Sequence, residues 1–114
     1  MIAVIFEVMP APGRADRYFE LAGQLRAELE RIEGFISVER FESLTQPGKF
    51  LSLSFWRDEA AVRAWRTHGE HRAGQQEGRD AVFADYRIRI AEVTRDYGLK
   101  ERAEAPADSR AALR

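Results

Sequence analysis

The chain has 114 residues, of which 45% are hydrophobic and 32% charged, as in an ordinary single globular domain. Its 18 basic and 19 acidic residues are interleaved and give a net charge of −1, which argues against a binding surface for nucleic acid or an anionic membrane. The chain contains no cysteine, which excludes disulfides, thiolate metal sites and thiol nucleophiles.

The N-terminal segment 2–9 predicts a strand that is apolar on both faces, with Glu7 as the one exception. A strand of this kind is normally covered on both sides. The segment lacks the basic residues and the cleavage site of a signal peptide, and no apolar run approaches the roughly 20 residues that span a bilayer. We therefore expect a cytoplasmic protein that makes no membrane contact.

The next elements alternate between helical and strand patterns. From residue 14 the apolar residues recur at steps of three and four, which predicts a helix that ends near Gly34. Residues 35–44 and 50–56 predict two strands, and the sequence Gln46-Pro47-Gly48 between them is typical of a tight turn. A β-hairpin is therefore expected here.

The C-terminal half predicts two helical pieces and one more strand. Asp58 is a good N-cap for a short helix that carries Trp65, and residues 70–84 predict a second helical piece. Residues 86–94 predict the last strand, and the polar segment 99–114 is expected to be a flexible tail after one domain at 1–98.

The element order is β-α-β-β-α-β, which predicts an α+β ferredoxin-like fold with a four-stranded antiparallel sheet and both helices on one face. The first strand is apolar on both faces, and in the third strand Trp56 lies opposite the row formed by Leu51, Leu53 and Phe55. An uncovered apolar face is unusual in a soluble monomer. We therefore expect a homodimer formed through the sheets, in which Trp56 loses exposed area.

The sequence resembles the antibiotic biosynthesis monooxygenase family of dimeric α/β-barrel proteins. The matching segments are GFISVERF, FWRDEAAVRAW, HRAGQQEGR and YRIRIAEVTRDY, and together the resemblance covers about residues 1–98. The family includes cofactor-independent oxygenases of polyketide phenols, quinol monooxygenases, heme-degrading monooxygenases and members without known activity. The resemblance implies a cofactor-independent monooxygenase that acts on a small aromatic phenol or quinol in a pocket between sheet and helices.

The resemblance also suggests site residues. His71 matches the family histidine approximately in spacing and is a candidate general base, while Trp65 matches the family tryptophan. If residues 70–84 are helical, Gln75 shares a face with His71. Phe83 and Tyr86 are candidate aromatic walls of the pocket. Glu7 occupies the strand-one region of the family asparagine and is a candidate for substrate binding, or for a structural ion pair with Arg87 or Arg89 if it is buried.

Two other functions remain open. Heme binding or degradation would use His71 as the axial ligand, although the asparagine shared by the heme degraders and the polyketide oxygenases has no counterpart, since the chain contains no Asn. A non-enzymatic dimeric ligand-binding module is the other. His68 and His71 are three residues apart without an evident third ligand, so no metal site is expected. No phosphate-binding loop or dinucleotide motif is present either.

Overall fold

The computed structural model describes residues 1–68, 73, 76–77 and 81–112. Its elements are β1 (Ile2–Pro10), α1 (Ala15–Leu29), β2 (Phe35–Glu42), β3 (Phe50–Trp56), α2 (Glu59–Arg66), β4 (Phe83–Glu92) and α3 (Ala107–Ala112). The four strands form one sheet in the order β2-β3-β1-β4, and all neighbouring pairs are antiparallel. The predicted ferredoxin-like α+β fold is therefore confirmed.

The boundary between the second helical region and β4 differs from the prediction. Residues 83–85 belong to β4, although the sequence pattern assigned residues 83–84 to the helix and began the strand at residue 86. The pairing of β1 with β4 shifts register between Met9 and Pro10, which brings Pro10 opposite Phe83. The Ala11 amide also donates to the Val82 carbonyl at 2.7 Å. These backbone contacts extend the strand beyond the point that side-chain periodicity indicates.

The side of the sheet that faces the helices carries the hydrophobic core. One cluster joins Ile2, Val4 and Trp56 of the sheet to Leu29, Ala61 and Val62 of the helices, and the other joins Val8 to Tyr18, Leu21 and Val82. Trp56 is 0% exposed within the single chain. The expectation that Trp56 would lose exposed area in a dimer is therefore wrong, because β3 turns its even-numbered side chains toward the helices.

The opposite side of the sheet carries the odd-numbered side chains of β1 and β3. Glu7 lies there, half-buried, and accepts a hydrogen bond from Arg89 at 2.9 Å while Lys49 lies 3.9 Å away. This confirms the ion pair predicted for Glu7. Leu51 and Leu53 of β3 lie on the same side and are only partly buried.

The segment after β4 has local structure of its own. Arg102 donates hydrogen bonds to the carbonyl oxygens of Gly98 and Ser109, and Ala105 is buried. The flexibility of residues 99–114 in solution stays a prediction. Among the helices that the structure describes, none has the length and apolar character needed to cross a bilayer.

Candidate active site

A cavity of about 120 Å³ lies between α1, α2 and the helix-facing side of the sheet. For scale, an engineered apolar cavity of about 150 Å³ is known to bind benzene. The volume therefore corresponds to a small ligand with about one ring. All four strands contribute to the lining, which comprises Val4, Phe6, Tyr18, Leu21, Ala22, Leu25, Leu29, Val38, Arg40, Ser52, Ser54, Trp65, Phe83, Tyr86 and Ile88.

Helix α1 forms one wall of the cavity because its lining residues recur at helical spacing. Tyr18, Leu21, Ala22, Leu25 and Leu29 are separated by steps of three, one, three and four residues, so they lie along one stripe of the helix. The small side chain in the middle of this stripe is Ala22. A helix wall with one small residue between larger apolar ones leaves room for a ligand at that point.

Trp65 enters the cavity from α2 and is held by the core behind it. Its ring stacks on Trp56 with a centroid distance of 5.1 Å and an angle of 21° between the planes. The Trp56 Nε1–H donates to the Ser54 hydroxyl at 2.9 Å, so this buried donor is satisfied. The Trp65 ring therefore packs against a fixed partner at the cavity wall.

The position of α2 depends on its N-cap. The Asp58 carboxylate accepts a hydrogen bond from the Ala61 amide at 2.9 Å, which satisfies one of the free N–H groups of the first turn. This hydrogen bond, followed by the one from Arg57, lowers the pKa of Asp58 from its ordinary value. The cap thus remains charged at neutral pH and fixes the start of the helix that carries Trp65.

Aromatic rings line the end of the cavity next to β4. The centroid of Phe6 lies 5.7 Å from those of both Phe83 and Tyr86, and Phe83 lies 6.0 Å from Tyr18. The angles between these rings are tilted or edge-on, as aromatic pairs prefer. A planar ligand entering here would meet aromatic faces and edges instead of polar groups.

Polar atoms enter the cavity beside Tyr18. The Tyr18 hydroxyl and the Arg40 Nε are both buried, and neither has a hydrogen-bond partner within the described chain. Burial raises the pKa of Tyr18, and the Arg40 guanidinium offsets part of that rise. Ser52 pairs with Arg40 across β2 and β3, and both side chains line the cavity.

An ion pair joins α1 to the described part of the segment between α2 and β4. Arg17 contacts both carboxylate oxygens of Glu77, at 2.5 Å through Nε and 2.7 Å through Nη2. This bidentate contact lowers the pKa of Glu77 and raises that of Arg17. It fixes residue 77 to the helix that forms the cavity wall.

The structure brings some of the predicted site residues together. Trp65, Phe83 and Tyr86 line the same cavity, whereas Glu7 lies on the opposite side of the sheet. Glu7 is therefore not in the pocket between sheet and helices, because the alternation of β1 turns it away from Phe6. His71 and Gln75 lie outside the described residues.

Tyr18 and Arg40 also line the cavity, although neither was among the predicted site residues. The helical pattern that begins at residue 14 includes Tyr18 as one of its apolar positions and assigns no role to its hydroxyl. Arg40 lies two residues after Val38 and therefore faces the same side of β2. An arginine that follows an inward-facing valine by two positions was the available signal.

The described residues contain no cluster of three or more His, Asp or Glu side chains that could hold a metal ion. The Nε2 atom of His68 lies 3.8 Å from the Glu28 carboxylate.

Comparisons with known proteins agree with this fold. Residues 1–77 match the family model described as "Antibiotic biosynthesis monooxygenase". The chain is 50% identical over 94 residues to "Jasmonate monooxygenase ABM" of Pyricularia oryzae; the match covers 82% of the chain but only 44% of that fungal protein. It is 30% identical over 93 residues to the Bacillus subtilis protein YqjZ, with 82% of the chain and 79% of that protein covered.

Solved structures show the same fold at lower sequence identity. A crystal structure of a Deinococcus radiodurans protein superposes with a TM-score of 0.76 and 17% identity, covering 86% of the chain and 97% of that protein. Similarity at this level of identity supports the fold alone. Family membership is shown by the sequence matches to the family model and to the two relatives above.

Proposed function

Because the chain belongs to the antibiotic biosynthesis monooxygenase family, we propose that it inserts one oxygen atom of O₂ into a small phenol or quinol bound between α1 and the sheet. The observation that carries this proposal is the cavity itself. Its volume suits one ring, and Phe6, Trp65, Phe83 and Tyr86 give it aromatic walls. Such walls favour a flat, largely apolar substrate.

This reaction needs no cofactor, because the substrate supplies all the electrons. A phenol with a free para position and O₂ give the para-quinone and water, so that one oxygen atom enters the ring and the other leaves as water. A quinol gives a hydroxyquinone and water with the same balance. The electron-rich phenolate reduces O₂ more readily than the neutral phenol does, so the protein's task is to remove a proton and hold the anion in a dry pocket.

The proposed roles follow from the resemblance and from the cavity. His71 accepts the phenol proton, Trp65 forms the wall against which the ring packs, and Phe83 and Tyr86 complete the aromatic lining. Gln75, which the helical pattern expected for residues 70–84 places on the same face as His71, is proposed to contact the substrate. His71 and Gln75 are assigned from the sequence, and Trp65, Phe83 and Tyr86 have support from their places in the cavity lining.

A second substrate class is favoured by Arg40. The fungal relative is named for jasmonate, a carboxylate, and the chain spans 44% of that protein's length. A half-buried arginine with a buried Nε in a mainly apolar cavity suits an apolar carboxylate. Hydroxylation of such a molecule consumes two electrons and two protons besides O₂, so this activity requires an external two-electron donor.

The proposal includes a homodimer that packs through the sheet face opposite the cavity. Partly buried Ile5, Leu51, Leu53 and Phe55 on that face support it.

Incubation with ¹⁸O₂ tests the activity. Purified protein without added cofactor is given 2,6-dimethylphenol, and the product is analysed by mass spectrometry. We expect one ¹⁸O atom in the quinone, a large loss of turnover in His71→Ala, and near-normal turnover in His68→Ala, which is the matched control. Equal turnover in His71→Ala and in the wild-type protein would contradict the role of His71. Binding without ¹⁸O incorporation would favour the non-enzymatic ligand-binding module.

A further inference from the structure

Two buried polar atoms in the lining of the cavity have no hydrogen-bond partner among the residues that the structure describes. The Tyr18 hydroxyl and the Arg40 Nε make no hydrogen bond within the described part of the chain. A buried polar group without a partner destabilises a fold, and native structures keep few of them. The presence of two such groups in one small cavity is therefore best explained by a ligand atom that satisfies both.

The two groups are close enough to interact and are surrounded by apolar side chains. Burial raises the pKa of Tyr18, and the charge and hydrogen-bonding capacity of the nearby Arg40 guanidinium lower it in part, so the two groups lie at the same end of the cavity. The Tyr18 hydroxyl and the Arg40 Nε nevertheless make no contact that meets hydrogen-bond geometry within the described residues. Ser52, opposite Arg40 on the neighbouring strand, adds a hydroxyl there. Arg40 forms no salt bridge with a carboxylate of the described residues, so its charge is not neutralised by them.

The rest of the cavity is mainly apolar, with Ser54 and Tyr86 as its further polar side chains. Leu21, Leu25, Leu29, Val4 and Trp65 line it away from the polar groups. A ligand that fits both parts has an apolar body and a single anionic oxygen group at one end. Arginine binds such a group well, because a charge-assisted hydrogen bond is stronger than one between neutral groups.

We propose that Arg40 and Tyr18, with Ser52 beside them, form an oxyanion-binding subsite that holds the carboxylate or the phenolate oxygen of an otherwise apolar ligand. The inference rests on the cavity being the ligand site of the proposed function, but it does not require oxygen chemistry. Arg40 donates through its guanidinium, and the Tyr18 hydroxyl donates a second hydrogen bond to the same oxygen group. The anionic end of the ligand then lies at the Arg40 end of the cavity, and its apolar body lies along α1.

Two pairs of probes distinguish carboxylate from phenolate. The first pair is 3-phenylpropanoate and its neutral analogue 3-phenylpropanamide. The second pair is 4-nitrophenol, whose anion is coloured, and its neutral analogue 4-nitroanisole. Binding is followed by the tryptophan fluorescence of the full chain, and the absorbance of bound 4-nitrophenol reports how much of it is ionised.

The variants are chosen so that loss of binding is not confused with loss of the fold. Arg40→Met removes the charge, Arg40→Lys keeps it, and Tyr18→Phe removes only the hydroxyl. Arg26→Met, on an exposed part of α1, is the control for a change of net charge. Because the Tyr18 hydroxyl and the Arg40 Nε have no hydrogen-bond partner among the described residues, Arg40→Met and Tyr18→Phe should melt no lower than the wild-type protein.

We expect Arg40→Met to weaken binding of an anionic probe by about 10- to 100-fold, with no more than a twofold change for its neutral analogue. Arg40→Lys should recover part of the affinity, Tyr18→Phe should give a smaller loss, and Arg26→Met should bind as the wild-type protein does. Dependence on Arg40 for 3-phenylpropanoate alone identifies a carboxylate site, and dependence for 4-nitrophenol alone identifies a phenolate site.

Two results would overturn the subsite: failure of both anionic probes to bind the wild-type protein, or equal affinity of Arg40→Met and wild type for both. Failure of the proposed function has a different signature. In that case the anionic probes bind through Arg40, but no ¹⁸O appears in any product of the wild-type protein. The binding experiment can therefore refute the subsite, and the turnover experiment the proposed function, independently of each other.

Discussion

Gly34 lies where the connection from α1 to β2 passes close to α2. Its φ is +93°, and a Cβ added to it would lie 2.7 Å from the Cβ of Ala61. Ala61 is 3% exposed and belongs to the helix that carries Trp65, so it has little room to move. The variant Gly34→Ala therefore combines backbone strain with a steric clash in the core.

The magnitude follows from these two contributions. A residue with a Cβ in the left-handed region costs about 1–2 kcal/mol relative to glycine. Overpacking of a close-packed core adds about 1–3 kcal/mol, so Gly34→Ala should lower the free energy of unfolding by about 2–5 kcal/mol. Gly48→Ala is the matched control, because its φ is +86° and an added Cβ would meet no atom within 4 Å. It should lose about 1–2 kcal/mol.

Urea unfolding of four variants separates strain from clash. The set comprises Gly34→Ala, Gly48→Ala, Ala61→Gly and the double variant Gly34→Ala/Ala61→Gly. The double variant lacks the clashing atom, so it should be more stable than the sum of the two single effects predicts, by about 1–3 kcal/mol. Equal losses in the two Gly→Ala variants, or no coupling between residues 34 and 61, would refute the close packing of α2 against this connection.

Three further predictions concern the core, the ion pair and the assembly. Trp56→Ala should lower the free energy of unfolding by about 3–5 kcal/mol, because it empties a fully buried site and removes the ring that Trp65 stacks on; a loss below 1 kcal/mol in urea unfolding would contradict that packing. Glu77→Gln should be less stable than wild type at pH 7. Arg17 lowers the pKa of Glu77 in the folded state, so the ionised carboxylate stabilises the fold at pH values above its ordinary pKa of 4.5. This stabilisation is lost as the pH falls through the folded-state pKa. A difference in melting temperature between Glu77→Gln and wild type that persists unchanged at pH 2 would refute the charge contribution. Light scattering at micromolar concentration should give twice the mass of the 13.1 kDa chain, and a Leu53→Glu variant should shift it toward the monomer; a monomeric mass for wild type would exclude the dimer.

The fold could be predicted because the periodic patterns of apolar residues that indicate its strands and helices are local in the sequence. Alternation in β1 and β3 separated inward from outward side chains, and the helical period of α1 placed Tyr18 and Leu21 on one stripe. Glu7 stood out as an acid among apolar neighbours, so a pairing partner on β4 was foreseeable. These inferences need only the period of each element and the order in which the elements occur.

The errors arose where distant residues decide the outcome. The alternation of β3 places Trp56 and Phe55 on opposite faces of the sheet, but it does not say which face the helices cover. Trp56 was therefore wrongly predicted to lie on the face that forms the dimer. The start of β4 at Phe83 depends on its pairing with Pro10. Arg40 was overlooked because its alternation with Val38 does not by itself say which face of β2 the helices cover; that depends on how the four strands pair.

The central claim is that the cavity beside α1 is where the substrate is bound and oxidised. Ala22 lines this cavity, whereas Ala27 lies on the exposed side of the same helix. The decisive measurement is therefore the yield of ¹⁸O-labelled quinone from 2,6-dimethylphenol in Ala22→Phe, which fills the cavity, against Ala27→Phe, which adds the same side chain outside it. Circular dichroism first checks that both variants are folded. We then expect Ala22→Phe to lose nearly all ¹⁸O incorporation and Ala27→Phe to retain the wild-type yield. An undiminished yield in Ala22→Phe would contradict the claim that this cavity is the active site.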